Sequence, residues 1–425
     1  MPRIGLGRLA CVIACAMITA SILTGIPATG AEGVAKADDS RGAMLGDDQR
    51  ETAVWTVLAY IVADNDLDFC LAEDLQELKE GGSSDSVNVL MLVDRFEEPA
   101  YLYRIENNEM VVLESLGEVD MGDPALLTWF VEYADTDFPA EHRLLFFWDH
   151  GAPTAGVGVD TTLEGNEPGE SWSWLTHHEV VEALEGYHMD IIAYDECSIG
   201  QIETIYEYVA RGLSVDYVIA SESYIGYRGF VYDEIVLRLV ADPEMAALEL
   251  CEVIVEEFTN LFTQAPYMAE ILTTQSIFDM SEIAPLAEAV SALANTLADD
   301  IDSYRLMIGE AQMAALMPWG TRGESWIDMP SFVKYVMENV EDSDPAHADC
   351  AAVLDAYGEA MLGMGVAKNT ELHGYEGMGI TFPASHSSYS IAYADSEWGG
   401  FNTYMTYEFP NMGWWDFLQT YWGMT

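Results

Sequence analysis

Short, nearly continuous apolar runs alternate along this chain with longer segments whose apolar residues recur at helical spacing. Val54 to Val62 is one such run, and Leu67 to Glu80 carries a helical pattern ended by Gly81-Gly82. Val87 to Val93 is a second run, and Tyr101 to Ile105 and Met110 to Leu116 flank Glu106-Asn107-Asn108-Glu109 as a hairpin would. Pro124 opens a helix to about Tyr133, Leu144 to Trp148 reads as a strand, and Glu179 to Leu184 lies in a helix. Ile191 to Tyr194, Gln201 to Val209 and Tyr217 to Ala220 then read as strand, helix and strand. Strands apolar on both faces, alternating with helices, predict an α/β fold with a mainly parallel sheet flanked by helices.

Past residue 235 the pattern becomes helical. Met245 to Phe262, Ile283 to Met307 and Phe332 to Val340 have helical periodicity, with further helix around Ala351 to Met364. Met378 to Phe382, stopped by Pro383, is a short strand, and Trp398 to Trp422 is dense in aromatics that read as a packed closing layer. The expected division is an α/β core over 53–235 and, over 236–425, a helical C-terminal region packed against it, with a closing strand and an aromatic tail.

The N-terminus has a different character. Arg3 and Arg8 precede the almost uncharged apolar stretch Leu9 to Ile26, and Ala28 and Gly30 supply the small residues of a cleavage site near Gly30 or Ala31. Residues 1–31 are expected to be a signal peptide and 32–52 a flexible, polar lead-in. A membrane anchor is the competing reading, disfavoured because the run is near the short limit for spanning. Val12-Ile13-Ala14-Cys15 weakly resembles a lipoprotein box, but the apolar run continues past it. An exported protein, secreted or at the cell surface and free of the membrane after cleavage, is expected.

Charge narrows the partners. The formal net charge is −57, and losing two leader arginines leaves 14 basic against 73 acidic side chains, or −59. Such a field opposes binding to nucleic acid or anionic lipid, and suits a salty setting or basic substrates. Six cysteines fall to four without the leader, and Cys70, Cys197, Cys251 and Cys350 show neither CxxC spacing nor a disulfide framework. Cys251 and Cys350 read as core residues or one incidental bridge.

Two residues carry candidate chemistry. His150 follows the run Leu144-Leu145-Phe146-Phe147-Trp148-Asp149, and Cys197 follows Ile191-Ile192-Ala193-Tyr194-Asp195-Glu196, 47 positions later. Neighbouring parallel strands would end at one sheet edge and bring both side chains into one crevice. A thiol becomes a good nucleophile when a base or nearby positive charge stabilises its thiolate. Gly151, Gly156 and Gly158 permit a tight turn after His150, and the Gln201 to Val209 helix would set its positive end near Cys197.

Together these segments resemble the clostripain family of cysteine peptidases, which has the caspase-like fold. The matching pieces are Tyr60-Ile61-Val62-Ala63-Asp64-Asn65-Asp66-Leu67, Gly122-Asp123-Pro124, Trp148-Asp149-His150-Gly151, Asp195-Glu196-Cys197 and Ala220-Ser221-Glu222, with Ile327-Asp328 and Gly377 to Pro383 further on. The resemblance implies a cysteine endopeptidase acting on peptides or proteins. Cys197 would be the nucleophile and His150 the proton donor, with the backbone N–H groups of Gly151 and Cys197 as oxyanion site. Asp195 would be the floor of an S1 pocket for Arg or Lys. No cofactor or metal is expected for the chemistry; a calcium requirement is left open without a site. A monomer is expected. The alternative is a catalytically silent peptide-binding or surface protein on the same fold.

Three departures touch this picture. Glu196 replaces a small residue and adds an acid beside the thiol. Arg228, in Gly226-Tyr227-Arg228-Gly229-Phe230, introduces a cation that would pair with Asp195 and weaken a preference for basic P1 residues. No Lys or Arg lies between Gly151 and Glu196, where some relatives are self-cleaved. Asp64, Asp66 and Asp68 resemble the start of a calcium loop, but Phe69 and Leu75 replace its glycine and closing acid, so they read as caps of the Leu67 helix. His178-Glu179-Val180-Val181-Glu182 lacks the second His of a zinc-protease motif.

Overall fold

The computed structural model describes residues 52–162, 172–264, 273–315, 326–366, 374–389 and 401–424. The expected signal peptide, and the lead-in apart from Thr52, lie outside the described residues. In chain order the first elements are β1 (Ala53–Ala63), α1 (Asp68–Gly81), β2 (Val87–Arg95), β3 (Glu98–Glu106), β4 (Glu109–Gly117), α2 (Pro124–Asp137) and β5 (Ala140–Trp148). A small sheet of β6 (Gly151–Ala152), β7 (Gly156–Asp160) and β8 (Ser173–Leu175) precedes α3 (His177–Ala183), β9 (Met189–Asp195), α4 (Ile202–Ala210) and β10 (Val215–Ala220). Then come α5 (Tyr232–Ala241), α6 (Ala247–Gln264), β11 (Thr274–Asp279), α7 (Ile283–Asp299) and α8 (Ile301–Ala314). The chain closes through β12 (Trp326–Asp328), α9 (Met329–Glu338), α10 (Pro345–Ala360), β13 (Met361–Val366), β14 (Gly379–Thr381) and a last helix over Trp415–Trp422.

The central sheet has nine strands in the order β13-β11-β10-β9-β5-β1-β2-β3-β4. Its middle, from β10 through β9, β5 and β1 to β2, is parallel, while both edges are antiparallel. The parallel strands read as apolar runs because both faces are covered. Along β1, Trp55, Val57, Ala59 and Ile61 point into one core with α1, α5 and α6, while Leu58, Tyr60 and Val62 point into another with α2, α3, α4 and α7. Asn107 and Asn108, both at positive φ, make the tight turn between β3 and β4.

Local signals explain the helix starts. Asp123 caps α2 by accepting the Ala125 N–H at 2.9 Å, with Pro124 in the first turn. Thr176 and Glu179 form a reciprocal capping box on α3. The expected cap on α1 is different: Leu67 occupies the cap position, and Asn65 Oδ1 accepts its N–H at 2.8 Å. Asp68 pairs with Arg95, and Asp64 and Asp66 turn to other partners.

Three expectations about the later chain change. The pattern over Ile283 to Met307 is two helices broken at Asp300, where paired acids Asp299 and Asp300 oppose the negative end of α7. Met361 to Met364 is strand rather than helix. Gly363 and Gly365 weaken a helix there, and β11 offers an open edge. The division expected at 235/236 falls inside α5, and β11 and β13, both beyond it, complete the central sheet. These short strands carry little apolar signal of their own, so pairing decides their state.

The aromatic tail is packed. Phe382 meets Phe332, Trp414, Phe417 and Tyr421 edge to face, and the Trp414 indole N–H donates to Thr381 O at 2.8 Å. Cys251 and Cys350 are buried on opposite faces of the sheet, so the incidental bridge between them is not formed. No helix among the described residues is long and apolar enough to cross a membrane.

Candidate active site

The spacing between His150 and Cys197 is the register offset of two adjacent strands. β5 and β9 pair in parallel from Leu144 with Ile191 to Trp148 with Asp195. His150 and Cys197 each lie two positions past that last pair, at the same sheet edge. Gly151 packs directly on the Cys197 turn: a Cβ there would stand 2.6 Å from Cys197 O and 2.9 Å from Glu196 Cβ. No larger residue fits without moving one strand end away from the other.

The Cys197 turn is held from the segment after β10. Ser198 N–H donates to Ser223 O at 2.9 Å, Gly200 N–H to Ser221 O at 2.7 Å, and Ile225 N–H to Cys197 Sγ at 3.4 Å. Ser198 has φ of 62°, a left-handed conformation costing a non-glycine residue about 1–2 kcal/mol. These bonds hold it there and turn the chain sharply after the thiol. Helix α4 begins at Ile202, five positions past Cys197, so the turn rather than the helix start immediately follows the cysteine. Further bonds tie the turn to the late chain. Gln201 Nε2 donates to Glu222 O, Glu222 Oε1 accepts Gly377 N–H, and Asp328 accepts Glu376 N–H.

His150 has a carboxylate partner that the spacing argument missed. Its Nε2 lies 2.9 Å from Asp66 Oδ1. Burial works against the charged ring, but the Asp66 hydrogen bond and the charges of Asp149 and Asp66 outweigh it, holding His150 above its ordinary value. The same hydrogen bond lowers Asp66. Asn65 supports the arrangement from beneath, donating to Asp149 Oδ1 and to Val159 O, both at 2.7 Å. The signal was present as Asp64-Asn65-Asp66 after a strand; its cap-like composition concealed that the three side chains leave in different directions.

Asp195 is buried at the end of β9. Its Oδ2 accepts Phe230 N–H at 2.9 Å and Tyr232 O–H at 2.8 Å, while Oδ1 has no donor among the described residues. Burial raises its carboxyl to about 6 against those two bonds. Gly229 lies over it, where a Cβ would meet Asp195 Oδ2 at 2.1 Å. Arg228 does not pair with Asp195, contrary to expectation. Its guanidinium binds Glu73 and, at 3.0 Å, Glu77 on α1, because Gly229 turns the loop so that its side chain faces that helix. Glu196 is fully buried, and burial with the charges of Asp149 and Asp195 drives it well above the carboxylate range. That favours its neutral form and weakens any negative charge it adds beside the thiol. Cys70 is also pushed up, to about 12, by burial and by Asp74, which leaves it unsuited to nucleophilic chemistry.

Comparison with known proteins bears on the family and the fold. A family model described as the clostripain family matches residues 59–376. Clostripain of Hathewaya histolytica is 30% identical over 226 residues, which is 44% of this chain and 42% of that protein, so the match spans less than half the length of that relative. A secreted C11 cysteine protease from Bacteroides thetaiotaomicron, solved with an irreversible peptide inhibitor, superposes with a TM-score of 0.61 at 19% identity, over 86% of this chain and all of the other. An inactive zymogen C11 protease from Parabacteroides distasonis gives 0.61 at 20% identity, over 85% and 98% of the two chains. At those identities the structures speak for the fold, a caspase-like α/β sheet flanked by helices. With the family model covering most of the chain, the protein belongs to the clostripain family of cysteine peptidases.

Proposed function

We propose that this protein is an exported, monomeric cysteine endopeptidase that cleaves after Arg or Lys. The observation that carries the reading is the β5–β9 register, which sets His150 and Cys197 level at one sheet edge with Gly151 against the Cys197 turn. The Cys197 thiolate attacks the scissile carbonyl carbon, and the N–H groups of Gly151 and Cys197 hold the resulting oxyanion. The His150 imidazolium, sustained by Asp66, gives its proton to the leaving amine as the C–N bond breaks. Water then attacks the thioester, its proton passing to His150, and the acid product leaves. A P1 guanidinium or ammonium reaches Asp195 Oδ1, and Arg228 does not compete because Glu73 and Glu77 occupy it. Export rests on the leader in residues 1–31.

The test is a library of fluorogenic peptides varied at P1, incubated with the wild-type protein and the Cys197→Ala and His150→Ala variants. Cleavage after Arg or Lys that both substitutions abolish is expected. Cleavage indifferent to Cys197→Ala, or none at all, overturns the enzyme reading and leaves the silent binding protein. Cleavage after uncharged residues overturns only the role of Asp195.

A further inference from the structure

Beyond the Cys197 turn, two wholly buried carboxyl groups from distant parts of the chain face each other. Glu222 follows β10 and Asp328 ends β12, and their side chains are within hydrogen-bonding reach. Two carboxylates cannot make that bond, because neither has a hydrogen to give. The surrounding donors say which group keeps one. Asp328 Oδ1 accepts Ser331 N–H and Oδ2 accepts Glu376 N–H, both at 2.8 Å, so each of its oxygens is already an acceptor. Glu222 Oε1 accepts Gly377 N–H at 2.8 Å, whereas Oε2 is enclosed and meets no N–H or hydroxyl. The hydrogen therefore belongs on Glu222 Oε2, donated to Asp328. Among the described residues no Lys, Arg or His pairs with either group. The titratable groups around them are Glu376, itself paired with Lys334, and the phenols of Tyr357 and Tyr375. Burial, with the charge of Asp328, pushes Glu222 well above the carboxylate range, in the same sense.

We propose that Glu222 and Asp328 are positioning residues that share this one proton, and that their bond clamps the Cys197 turn to the late chain. The proposal rests on the reading of Cys197 as the nucleophile. Glu222 reaches both sides of the joint. Its own carbonyl accepts Gln201 Nε2–H at 2.9 Å, and the carbonyls of Ser221 and Ser223 beside it accept the Gly200 and Ser198 N–H groups. Its side chain holds Gly377 and, through Asp328, the start of α9. Gly379 N–H closes the contact on Gly200 O at 2.9 Å. A carboxyl–carboxylate bond in a water-free contact is strong while one proton is present and turns to repulsion when the proton leaves. The pair therefore holds the turn that carries the thiol in its singly protonated state, without touching the substrate.

The two ends of the bond predict opposite tolerance to an amide. In Glu222→Gln the amide oxygen accepts Gly377 N–H and the NH2 donates to Asp328, so kcat on a cleaved peptide should stay within about threefold of the wild type. In Asp328→Asn an NH2 must face a backbone N–H, so kcat should fall about tenfold or more with KM nearly unchanged. A second measurement counts the proton without using activity. Wild-type protein and Glu222→Gln are unfolded in denaturant at several values between roughly pH 5.5 and 7.5. The folded wild type keeps a proton that an ordinary glutamate in the unfolded chain has released, so its stability falls as pH rises, and the variant lacks that proton. The unfolding constant of the wild type relative to the variant should rise about tenfold per pH unit. Parallel pH dependence of the two proteins overturns the shared proton. Equal kcat in the two amide variants overturns the clamp. An Asp328→Asn chain that fails to fold beside a folded, active Glu222→Gln shows the same asymmetry and supports it. A wild-type protein that cleaves no peptide strikes the peptidase reading, and the proton count still decides the pair.

Discussion

At His150 two effects oppose each other: burial disfavours the imidazolium, and Asp66 with Asp149 favours it. The net rise keeps the ring protonated to higher pH than a free histidine, which suits a group that must give a proton to a leaving amine. In Asp66→Asn the amide oxygen still accepts the hydrogen bond but the charge is gone. The alkaline limb of kcat/KM should then move to lower pH; an unmoved limb would count against the Asp66–His150 pairing. Asp195 behaves in the opposite sense. Its carboxyl titrates near 6, so it is charged above that pH and neutral below it. KM for an Arg substrate should rise as pH falls through 6, while a substrate with an uncharged P1 shows no matching change. Asp195→Asn should cost about a hundredfold or more in kcat/KM on Arg substrates, the usual loss when a buried charge pair is broken.

Strand register is the element-scale device of this protein. A constant offset of 47 along β5 and β9 converts a sequence interval into side-chain neighbourhood. That interval was legible because both strands are apolar throughout and both end in a chemical group. The edge strands were less so. β11 reads Thr274-Gln275-Ser276-Ile277-Phe278-Asp279, and β13 carries two glycines, so neither announces itself without its partner. The small sheet β6-β7-β8 escaped for the same reason, with only Gly151-Ala152 in its first strand. Its first residue offers a sharp test. Gly151→Ala places a Cβ 2.6 Å from Cys197 O, and should cost about 1–3 kcal/mol of stability and most of the activity. Denaturant unfolding beside peptide hydrolysis measures both, and a stable, fully active variant would contradict the contact between the two turns.

At the scale of the whole molecule, a formal charge of −57 surrounds a sheet whose parallel centre is closed by antiparallel strands at both edges. Self-repulsion of that size is screened within about 10 Å at 0.1 M salt. Thermal stability should therefore increase with ionic strength up to about 1 M sodium chloride, where screening reaches about 3 Å; a Tm independent of salt would show the charge to be locally neutralised. By itself the sequence determined the parallel core, the order of its strands and helices, and the equal reach of His150 and Cys197, because these follow from local apolar periodicity and from counting along paired strands. Tertiary structure alone decided that Asp66 meets His150 and that Arg228 goes to α1 rather than Asp195. Those contacts join segments far apart in the chain. Which way a polar side chain leaves a turn depends on what packs over it, and no local pattern records that.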